Sequence, residues 1–445
     1  MALEKGLLNG FLKKGDKVIV GVSGGADSMC LLSLVNDFSK DVDIDVLAVH
    51  INHNLRDAEA KRDEMFVCNF CKQLGINVKN IHINVVSYAE KESKTIEQAA
   101  RELRYDAFNK LLKEQKANKI LVAHHKSDQA ETVLMHIARG SSIKGASGMK
   151  DFSGEIVRPL LNFSKDEILK YCDENNIEYI EDSSNSDVKY SRNYIRHDIM
   201  PKLKKLYPSI ESNLCDFARL CLRDDDFIES QLPLELLQEE KNKVVLDEKI
   251  YSLHSALSTR LVKKAFEKLN AYADMEEKHI LQVLELFTYK NGAEISLPNK
   301  IYAYKEYDKV VLIKGKRQTK NKEQKFILGE TKIKGYGSIY ALDITGKQDP
   351  EFGDGNHYLD MHKIPFSAIW RTKKDGDIFA KLGSGSKKLA DYFTDKKIPK
   401  RLRDTIPVLA VGNKILVVAG YDIADGVKIT SKTEQIIKVI YQTNL

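Results

Sequence analysis

The sequence of 445 residues contains no run of roughly 18 apolar residues, so no transmembrane helix is expected. Its first residues lack the basic region and the long apolar region that a secretory signal peptide needs. Only six cysteines are scattered over this length, which indicates a reducing compartment rather than a framework of disulfides. Together these absences predict a cytoplasmic protein.

Internal repeats of useful length are absent as well. With 42% hydrophobic and 30% charged residues, the composition is typical of a soluble globular protein, and the length predicts more than one domain. The net charge of +6 is uneven, because residues 361–445 contain 16 Lys and Arg against 8 Asp and Glu. A basic end on a near-neutral body indicates a polyanionic partner, although an ordinary solvated surface would explain the same charge.

One stretch near the start of the chain predicts an anion site. Residues 17–22 form an apolar, β-branched run typical of a buried strand, and residues 29–34 predict a helix that faces the core. Between them lies a turn of small residues: Ser23, Gly24, Gly25, Ala26, Asp27 and Ser28. Such a turn places free N–H groups and a helix N-terminus around a bound anion. Because the carboxylate of Asp27 would repel a phosphate unless a cation lay between them, the turn predicts a Mg²⁺-bound nucleotide.

The turn is not a Walker A loop, because the Gly-Lys-Ser/Thr ending is missing. The structural alternative is a plain glycine turn between a strand and a helix. The turn resembles the Ser-Gly-Gly-x-Asp-Ser loop of the ATP pyrophosphatase (PP-loop) family, which cleaves ATP between the α and β phosphates. The resemblance implies that all six residues of the turn bind ATP.

Two further polar segments each follow a predicted strand, where doubly wound sheets bind ligands. Residues 50–56 resemble the His-x-Asn-His-x-Leu-Arg stretch of one PP-loop branch, the tRNA(Ile)-lysidine synthetases, and this resemblance adds His50 and His53 to the ATP site. Residues 123–132 resemble the Ala-His-His-x-x-Asp-Gln-x-Glu-Thr stretch of the same branch, which places His124 and Asp128 at the reacting centre. The alternatives are a helix cap for Asp128 and surface decoration for the histidine pair.

Arginines on two predicted helices complete the candidate site. Arg101 and Arg104 share one side of a helix and match an Ala-Arg-x-x-Arg-Tyr pattern, although a solvated helix face explains their spacing equally well. A later segment matches the family's Asp-x-Ser-Asn … Arg-Asn-x-x-Arg pattern. Its matching residues are Asp182, Asn185, Arg192, Asn193 and Arg196. The two arginines of this segment are suited to grip RNA, to bind a substrate carboxylate or merely to pair with acids.

The last compact segment resembles the C-terminal domain of longer lysidine synthetases, which holds tRNA. Residues 387–403 contain seven basic residues against two acidic ones. We expect tRNA contacts from Lys387, Lys388, Lys397, Arg401 and Arg403.

The resemblance implies a reaction in which ATP adenylates C2 of the wobble cytidine of an isoleucine tRNA with a CAU anticodon. Lysine then attacks C2 and displaces AMP. The implied cofactors are ATP and Mg²⁺, and the implied partners are that tRNA and free L-lysine, with a homodimer as one option for the assembly. Asp27 would orient Mg²⁺, while Asp128 would bind the same cation or position lysine. His124 would handle a proton and Arg104 would clamp the developing charge, but the sequence does not fix which residue does which.

Two other functions stay open on the residues alone. Another PP-loop enzyme, such as a tRNA thiolase, would use paired cysteines. However, Cys68 and Cys71 fall among apolar residues of a predicted helix, with no second pair to complete a metal site, so we interpret them as core cysteines. The other alternative is a non-catalytic, ATP-gated tRNA-binding protein.

The expected fold class is α/β, with a doubly wound, mostly parallel sheet followed by a helical domain and a small basic α+β C-terminal domain. The predicted domains are a PP-loop ATP-binding catalytic domain at residues 1–212, a helical substrate-binding domain at 213–290, a strand-containing connector and linker at 291–360, and a basic tRNA-binding domain at 361–445.

Overall fold

A computed structural model of the protein describes residues 3–53, 57–180, 191–315, 323–333, 336–353, 355–383 and 385–443. The chain divides into two compact units, Met1–Phe227 and Ile228–Leu445. Asp182 and Asn185, and part of the predicted connector and linker at 291–360, lie outside the described residues.

The first unit is built on a mostly parallel sheet. Its strands are β1 (Lys17–Gly21), β2 (Asp45–Asn52), β3 (Asn77–His82), β4 (Lys119–Leu121), β5 (Phe152–Ser153) and β6 (Ile156–Val157). Their order is β3-β2-β1-β4-β6-β5, and the contact between β5 and β6 is antiparallel while the others are parallel. The predicted parallel sheet is therefore confirmed.

Helices follow the strands of this unit. They are α1 (Ala26–Asp41), α2 (Asp57–Leu74), α3 (Val85–Glu92), α4 (Ile96–Glu114), α5 (Lys126–Ala138), α6 (Ile143–Ala146), α7 (Lys165–Glu174), α8 (Ser191–Tyr194), α9 (Met200–Leu206) and α10 (Ile210–Ser230). A π-helical turn, Ile195–Ile199, connects α8 to α9. None of the helices in the described residues is long and apolar enough to cross a membrane.

Alternating side chains of β1 supply two hydrophobic cores, one on each face of the sheet. Val18 and Val20 pack with α1 and α7, whereas Ile19 packs with Phe108 and Leu111 of α4. Because successive strand residues point to opposite faces, this division shows that helices cover both faces, as the doubly wound fold requires.

The second unit begins with a sheet whose strand order is β7-β8-β11-β10-β9. Its elements are β7 (Leu237–Glu240), β8 (Lys243–Asp247), α11 (Lys249–Ser252), α12 (Ser255–Lys268), α13 (Glu277–Glu285), β9 (Glu294–Leu297), β10 (Ile301–Glu306) and β11 (Lys309–Lys314). The segment predicted as helical therefore also contains the hairpin β7–β8. This hairpin turns at Asn242, whose φ of 57° lies in the left-handed region that asparagine tolerates.

The rest of the second unit contains two further sheets that share one hydrophobic core. One sheet has the order β12-β16-β19-β20-β17-β18, with β21 paired to β20, and the other has the order β13-β14-β22-β15. The elements are β12 (Gln324–Lys325), β13 (Gly329–Ile333), β14 (Gly337–Asp343), β15 (His357–Asp360), β16 (Ile369–Arg371), β17 (Ile378–Ala380), β18 (Ser386–Lys388), α14 (Leu389–Asp395), α15 (Lys400–Arg403), β19 (Val408–Val411), β20 (Lys414–Val418), β21 (Asp422–Ile423) and β22 (Ile436–Thr443).

Candidate active site

A cavity of about 580 Å³ opens where β1, β2 and β4 end at the carboxyl edge of the parallel sheet. The predicted site residues that line it are Ser23, Asp27, Ser28, His50, His53, Arg104, His124, Asp128, Arg192 and Arg196. The structure therefore brings together side chains from segments that are far apart in the sequence.

The turn between β1 and α1 has the geometry of an anion cradle. The Ser28 hydroxyl accepts hydrogen bonds from the backbone N–H groups of Ser23 and Gly24 at 3.1 and 3.2 Å, and it donates to the Gly25 carbonyl at 2.9 Å. Gly24 has a φ of 97°, which side chains other than hydrogen rarely allow. Gly25 occupies the N-cap position of α1 and makes no side-chain hydrogen bond, so no side chain caps the first N–H groups of the helix. These features fit a nucleotide phosphate.

Asp27, in the first turn of α1, is paired with a lysine that the sequence analysis missed. The Nζ atom of Lys165, at the start of α7, lies 2.7 Å from Oδ1 of Asp27. The two residues are 138 positions apart, so no local pattern relates them. A single cation therefore neutralises the carboxylate that was predicted to face Mg²⁺.

His125 lies between the two carboxylates predicted as metal ligands. Its Nε2 atom is 3.9 Å from Oδ2 of Asp27 and 3.5 Å from Oδ2 of Asp128. Its Nδ1 atom accepts a hydrogen bond from the Ser127 backbone N–H at 3.2 Å, which places the ring proton on Nε2, toward the carboxylates. Within the ranges that the structure describes, no group of three or more His, Cys, Asp or Glu is arranged to hold a metal ion by itself.

A buried ion-pair network lies behind the cavity. Two carboxylates of α5, Asp128 and Glu131, face two guanidinium groups, Arg192 and Arg196. Arg196 contacts Glu131 at 2.6 and 2.9 Å and Asp128 at 2.7 Å. Arg192 contacts Glu131 at 2.9 Å and Asp128 at 3.1 Å. Glu131 belongs to the family-like stretch at residues 123–132 but is not among the predicted site residues.

The ion-pair network favours the charged forms of Asp128 and Arg196. Burial alone would raise the pKa of Asp128, but His125, Arg192, His124 and Arg196 together lower it to about 2. Burial would lower the pKa of Arg196, but its hydrogen bonds to Glu131 raise it instead. Asp128 and Arg196 therefore stay charged near neutral pH.

His124 has an unusual environment at the floor of the site. Its Nδ1 atom is buried and finds no hydrogen-bond partner among the described residues. Burial lowers the pKa of His124 to about 3, and nearby arginines add to this against the opposite effect of Asp128. The imidazole is thus neutral at physiological pH, and its orphaned nitrogen is a candidate contact for a ligand.

The remaining predicted residues of the first unit occupy the edge of the site. His50 bonds the Val22 carbonyl through Nδ1 at 3.0 Å, so it also braces the end of β1. Arg104 approaches His53, with Nη2 3.5 Å from Nε2. Arg101 is exposed, and its guanidinium lies 5.2 Å above the ring of Tyr105, which lines the cavity. Asn193 lies on α8 between the two arginines of the network.

The cysteine pair of α2 has ordinary structural surroundings. Cys71 is fully buried in the same core as Val67. Cys68 accepts a hydrogen bond from the Asn80 amide at 3.2 Å. These contacts agree with the interpretation of both residues as packing groups.

The predicted basic contacts of the second unit differ in their availability. Lys388 and Lys397 are exposed, whereas Lys387 pairs with Asp395 at 2.7 Å. Arg403 donates to the Ile398 carbonyl and to the Thr394 hydroxyl. Arg401 is mostly buried in a pair with Glu306.

The chain matches two family models, the PP-loop domain at residues 3–203 and the TilS substrate C-terminal domain at residues 369–440. It is 34% identical to the tRNA(Ile)-lysidine synthase of Caldanaerobacter subterraneus subsp. tengcongensis, over 97% of this chain and 94% of that protein. It is also 34% identical to that of Clostridium tetani, over 96% of this chain and 95% of the relative. The synthase of Clostridioides difficile is 31% identical, over 96% of each chain. Similarity at this level over nearly the full length assigns the chain to the tRNA(Ile)-lysidine synthase family.

Proposed function

We propose that the cavity at the ends of β1, β2 and β4 carries out the reaction of this family. The chain is an ATP-dependent ligase that joins lysine to C2 of the wobble cytidine of an isoleucine tRNA with a CAU anticodon. The observation that carries the proposal is the convergence of a phosphate-type turn and the Asp128 carboxylate on one cavity, with the buried Glu131 carboxylate in the ion-pair network behind it. The turn suits a nucleotide anion, and the carboxylates suit a substrate cation.

The first half-reaction needs the phosphates of ATP to be held and their charge offset. The turn at residues 23–28 and the N-terminus of α1 would bind the phosphates. Lys165, which contacts Asp27 beside this turn, would add a positive charge near them. The cytidine O2 attacks the α-phosphorus, a new O–P bond forms, and pyrophosphate departs with the old one. Asp27, with Asp128 as second candidate, would hold Mg²⁺, whose chemistry is to neutralise phosphate charge and polarise the phosphorus.

Lysine would bind at the pair of carboxylates formed by Asp128 and Glu131. In the structure this pair already binds two cationic groups, so it suits the α-ammonium of an amino acid. Displaced guanidinium groups of Arg192 and Arg196 would then be free to bind the lysine carboxylate. This arrangement favours lysine binding over metal binding as the main role of Asp128.

The second half-reaction breaks the bond between C2 and the adenylated oxygen. The neutral ε-amine of lysine attacks C2, a C–N bond forms, AMP departs, and the nitrogen loses a proton. With a pKa of about 3, His124 is too weak a base to store that proton at neutral pH, but its orphaned Nδ1 can accept a hydrogen bond from the amine. We therefore assign His124 to orienting the nucleophile.

The tRNA must present an unstacked cytidine at the cavity. Arg104 lines the cavity and Arg101 lies above the ring of Tyr105, another lining residue, so the phosphates of an anticodon loop would meet positive charge there. The basic surface of the second unit, including Lys388 and Lys397, would contact the body of the tRNA and make its affinity sensitive to salt.

The deciding experiment mixes the purified chain with ATP, Mg²⁺, labelled lysine and isoleucine tRNA bearing a CAU anticodon. We expect label to enter the tRNA in step with AMP release, and a tRNA with a different wobble base to remain unlabelled. AMP release without lysine incorporation would favour another PP-loop enzyme such as a thiolase. Replacement of both Cys68 and Cys71 by alanine should leave lysine incorporation intact, which a thiolase would not predict.

A further inference from the structure

The predicted tRNA contact Arg401 is engaged inside the second unit. It lies on α15, and its Nε atom donates to Oε1 of Glu306 at the end of β10, 95 positions away in the sequence. The side chains of the pair are only 18% and 14% exposed. The guanidinium also lies 5.7 Å above the ring of Tyr304 on the same strand. Arg401 is therefore poorly placed to meet a phosphate.

A second contact joins α15 to the segment just before β9, the strand that pairs with β10. Gly292 precedes β9 and has a φ of 82°, and a Cβ built on it would overlap the side chain of Lys400. The aliphatic part of Lys400 thus fills the space that the missing side chain leaves. Two neighbouring residues of α15 are consequently fitted to the sheet that contains β9 and β10.

We propose that Arg401 is a positioning residue that fixes the basic segment 387–403 against this sheet. We call the group of Arg401, Glu306 and Tyr304 the Arg401 latch. In this arrangement the exposed Lys388 and Lys397 contact the polyanion, while the Arg401 latch holds them in a fixed place. The inference rests on the proposed tRNA function, because it assigns an indirect role in binding that partner.

If the Arg401 latch exists, substitution of Glu306 should change tRNA affinity in the direction opposite to that expected from net charge alone. Glu306→Gln removes a negative charge from a chain that binds a polyanion, which alone would strengthen binding. If the Arg401 latch positions the basic segment, the same change should instead weaken tRNA binding, because the tRNA must then also order that segment. We expect the dissociation constant to rise by about tenfold, the scale of one charge-assisted hydrogen bond.

Salt dependence separates positioning from direct contact. Loss of a phosphate contact lowers the slope of log affinity against log salt by roughly 0.7 to 0.9. Glu306→Gln and Arg401→Gln should weaken binding with an unchanged slope, since the same lysines reach the phosphates once the complex forms. Lys397→Gln, at an exposed predicted contact, should lower the slope. The charge swap Arg401→Glu with Glu306→Arg should recover most of the lost affinity.

The experiment measures tRNA affinity at several salt concentrations for the full-length chain and these variants. Asp308→Asn is the matched control, because it removes an exposed acid two positions from Glu306 and should leave affinity unchanged or slightly higher. In Glu306→Gln and Arg401→Gln, lysine incorporation should show a raised KM for tRNA with kcat nearly unchanged. Unaltered tRNA affinity in Glu306→Gln, or a lower salt slope in Arg401→Gln without recovery in the swap, would overturn the proposal.

A readout without tRNA keeps this test separate from the proposed function. Amide hydrogen exchange over residues 387–403 should speed up in Glu306→Gln and Arg401→Gln and stay unchanged in Asp308→Asn. If the wild-type chain bound no tRNA, the proposed function would fail while the exchange data still decided whether the Arg401 latch exists. Unchanged exchange in both latch variants would refute it.

Discussion

Glu131→Gln tests the assignment of the lysine site most directly. The substitution keeps the shape of a side chain that is only 2% exposed, but it removes the charge that both Arg192 and Arg196 contact. If the α-ammonium of lysine replaces a guanidinium at this position, the variant should bind lysine more weakly. ATP should bind normally, because the phosphate turn at residues 23–28 does not involve Glu131.

The size of the effect follows from the chemistry of the contact. A hydrogen bond to a charged group contributes about 1.5–3 kcal/mol, and each 1.4 kcal/mol corresponds to about tenfold in affinity. The KM for lysine should therefore rise by roughly 10- to 150-fold. Since Asp128, with a pKa of about 2, remains ionised beside Glu131, binding is weakened rather than abolished.

The assay measures initial rates of lysine incorporation while lysine and ATP are varied separately. Glu114→Gln is the control, because it makes the same chemical change in an exposed ion pair with Lys79, whose contribution should be small. Because two arginines lose a buried partner in Glu131→Gln, circular dichroism must first show that the variant is folded. A folded variant whose KM for lysine lies within twofold of wild type would refute the assignment.

Substitutions at three further positions test other parts of the structure. Lys165→Met should raise the KM for ATP by at least tenfold while Lys165→Arg recovers part of the loss, and pyrophosphate binding by calorimetry should follow the same order. His124→Asn should weaken the dependence of the melting temperature on acid pH. The pKa of His124 falls from about 6.5 in the unfolded chain to about 3 in the folded chain. The unfolded chain therefore binds an extra proton, and stability is lost as the pH falls below about 6.5. Asp377→Asn breaks a buried bidentate pair with Arg371 and should destabilise the second unit by about 3–5 kcal/mol in a denaturant titration.

The fold around the phosphate turn could be predicted because local and global preferences agree there. An apolar strand, a glycine at φ 97° and an apolar helix follow one another within a few residues. The start of α7 is encoded just as locally, because Ser164 and Glu167 have the spacing of a capping box and both of its hydrogen bonds are present.

Long-range partners could not be predicted in this way. The pairing of Asp27 with Lys165 depends on how α7 packs against α1, and no periodic pattern encodes it. The Arg401–Glu306 pair likewise depends on the packing of distant elements. The density of basic residues alone led to the prediction that Arg401 contacts tRNA. The histidine pair is a subtler case, because only the backbone geometry after β4 decides that His125, rather than His124, lies between the carboxylates.

The hairpin β7–β8 was missed for a different reason. Its first strand is polar at three of four positions, so it carries little of the apolar alternation by which strands are found. The second strand holds a buried apolar centre, and Asn242 supplies the turn, which was the available signal. Burial of β8 against β11 stabilises the pair despite the polar edge.

The charged side chains of the site balance one another, and this balance constrains how substrates enter. Asp27 is neutralised by Lys165, while Asp128 and Glu131 are neutralised by Arg192 and Arg196. A cationic substrate group must displace one of these side chains, which would leave an expensive unpaired charge if no anion arrived with it. The phosphates of ATP and the carboxylate of lysine are such anions. The internal ion pairs therefore favour substrates that carry both signs of charge, and they disfavour a simple diamine, which brings two cations and nothing to receive the released guanidinium groups.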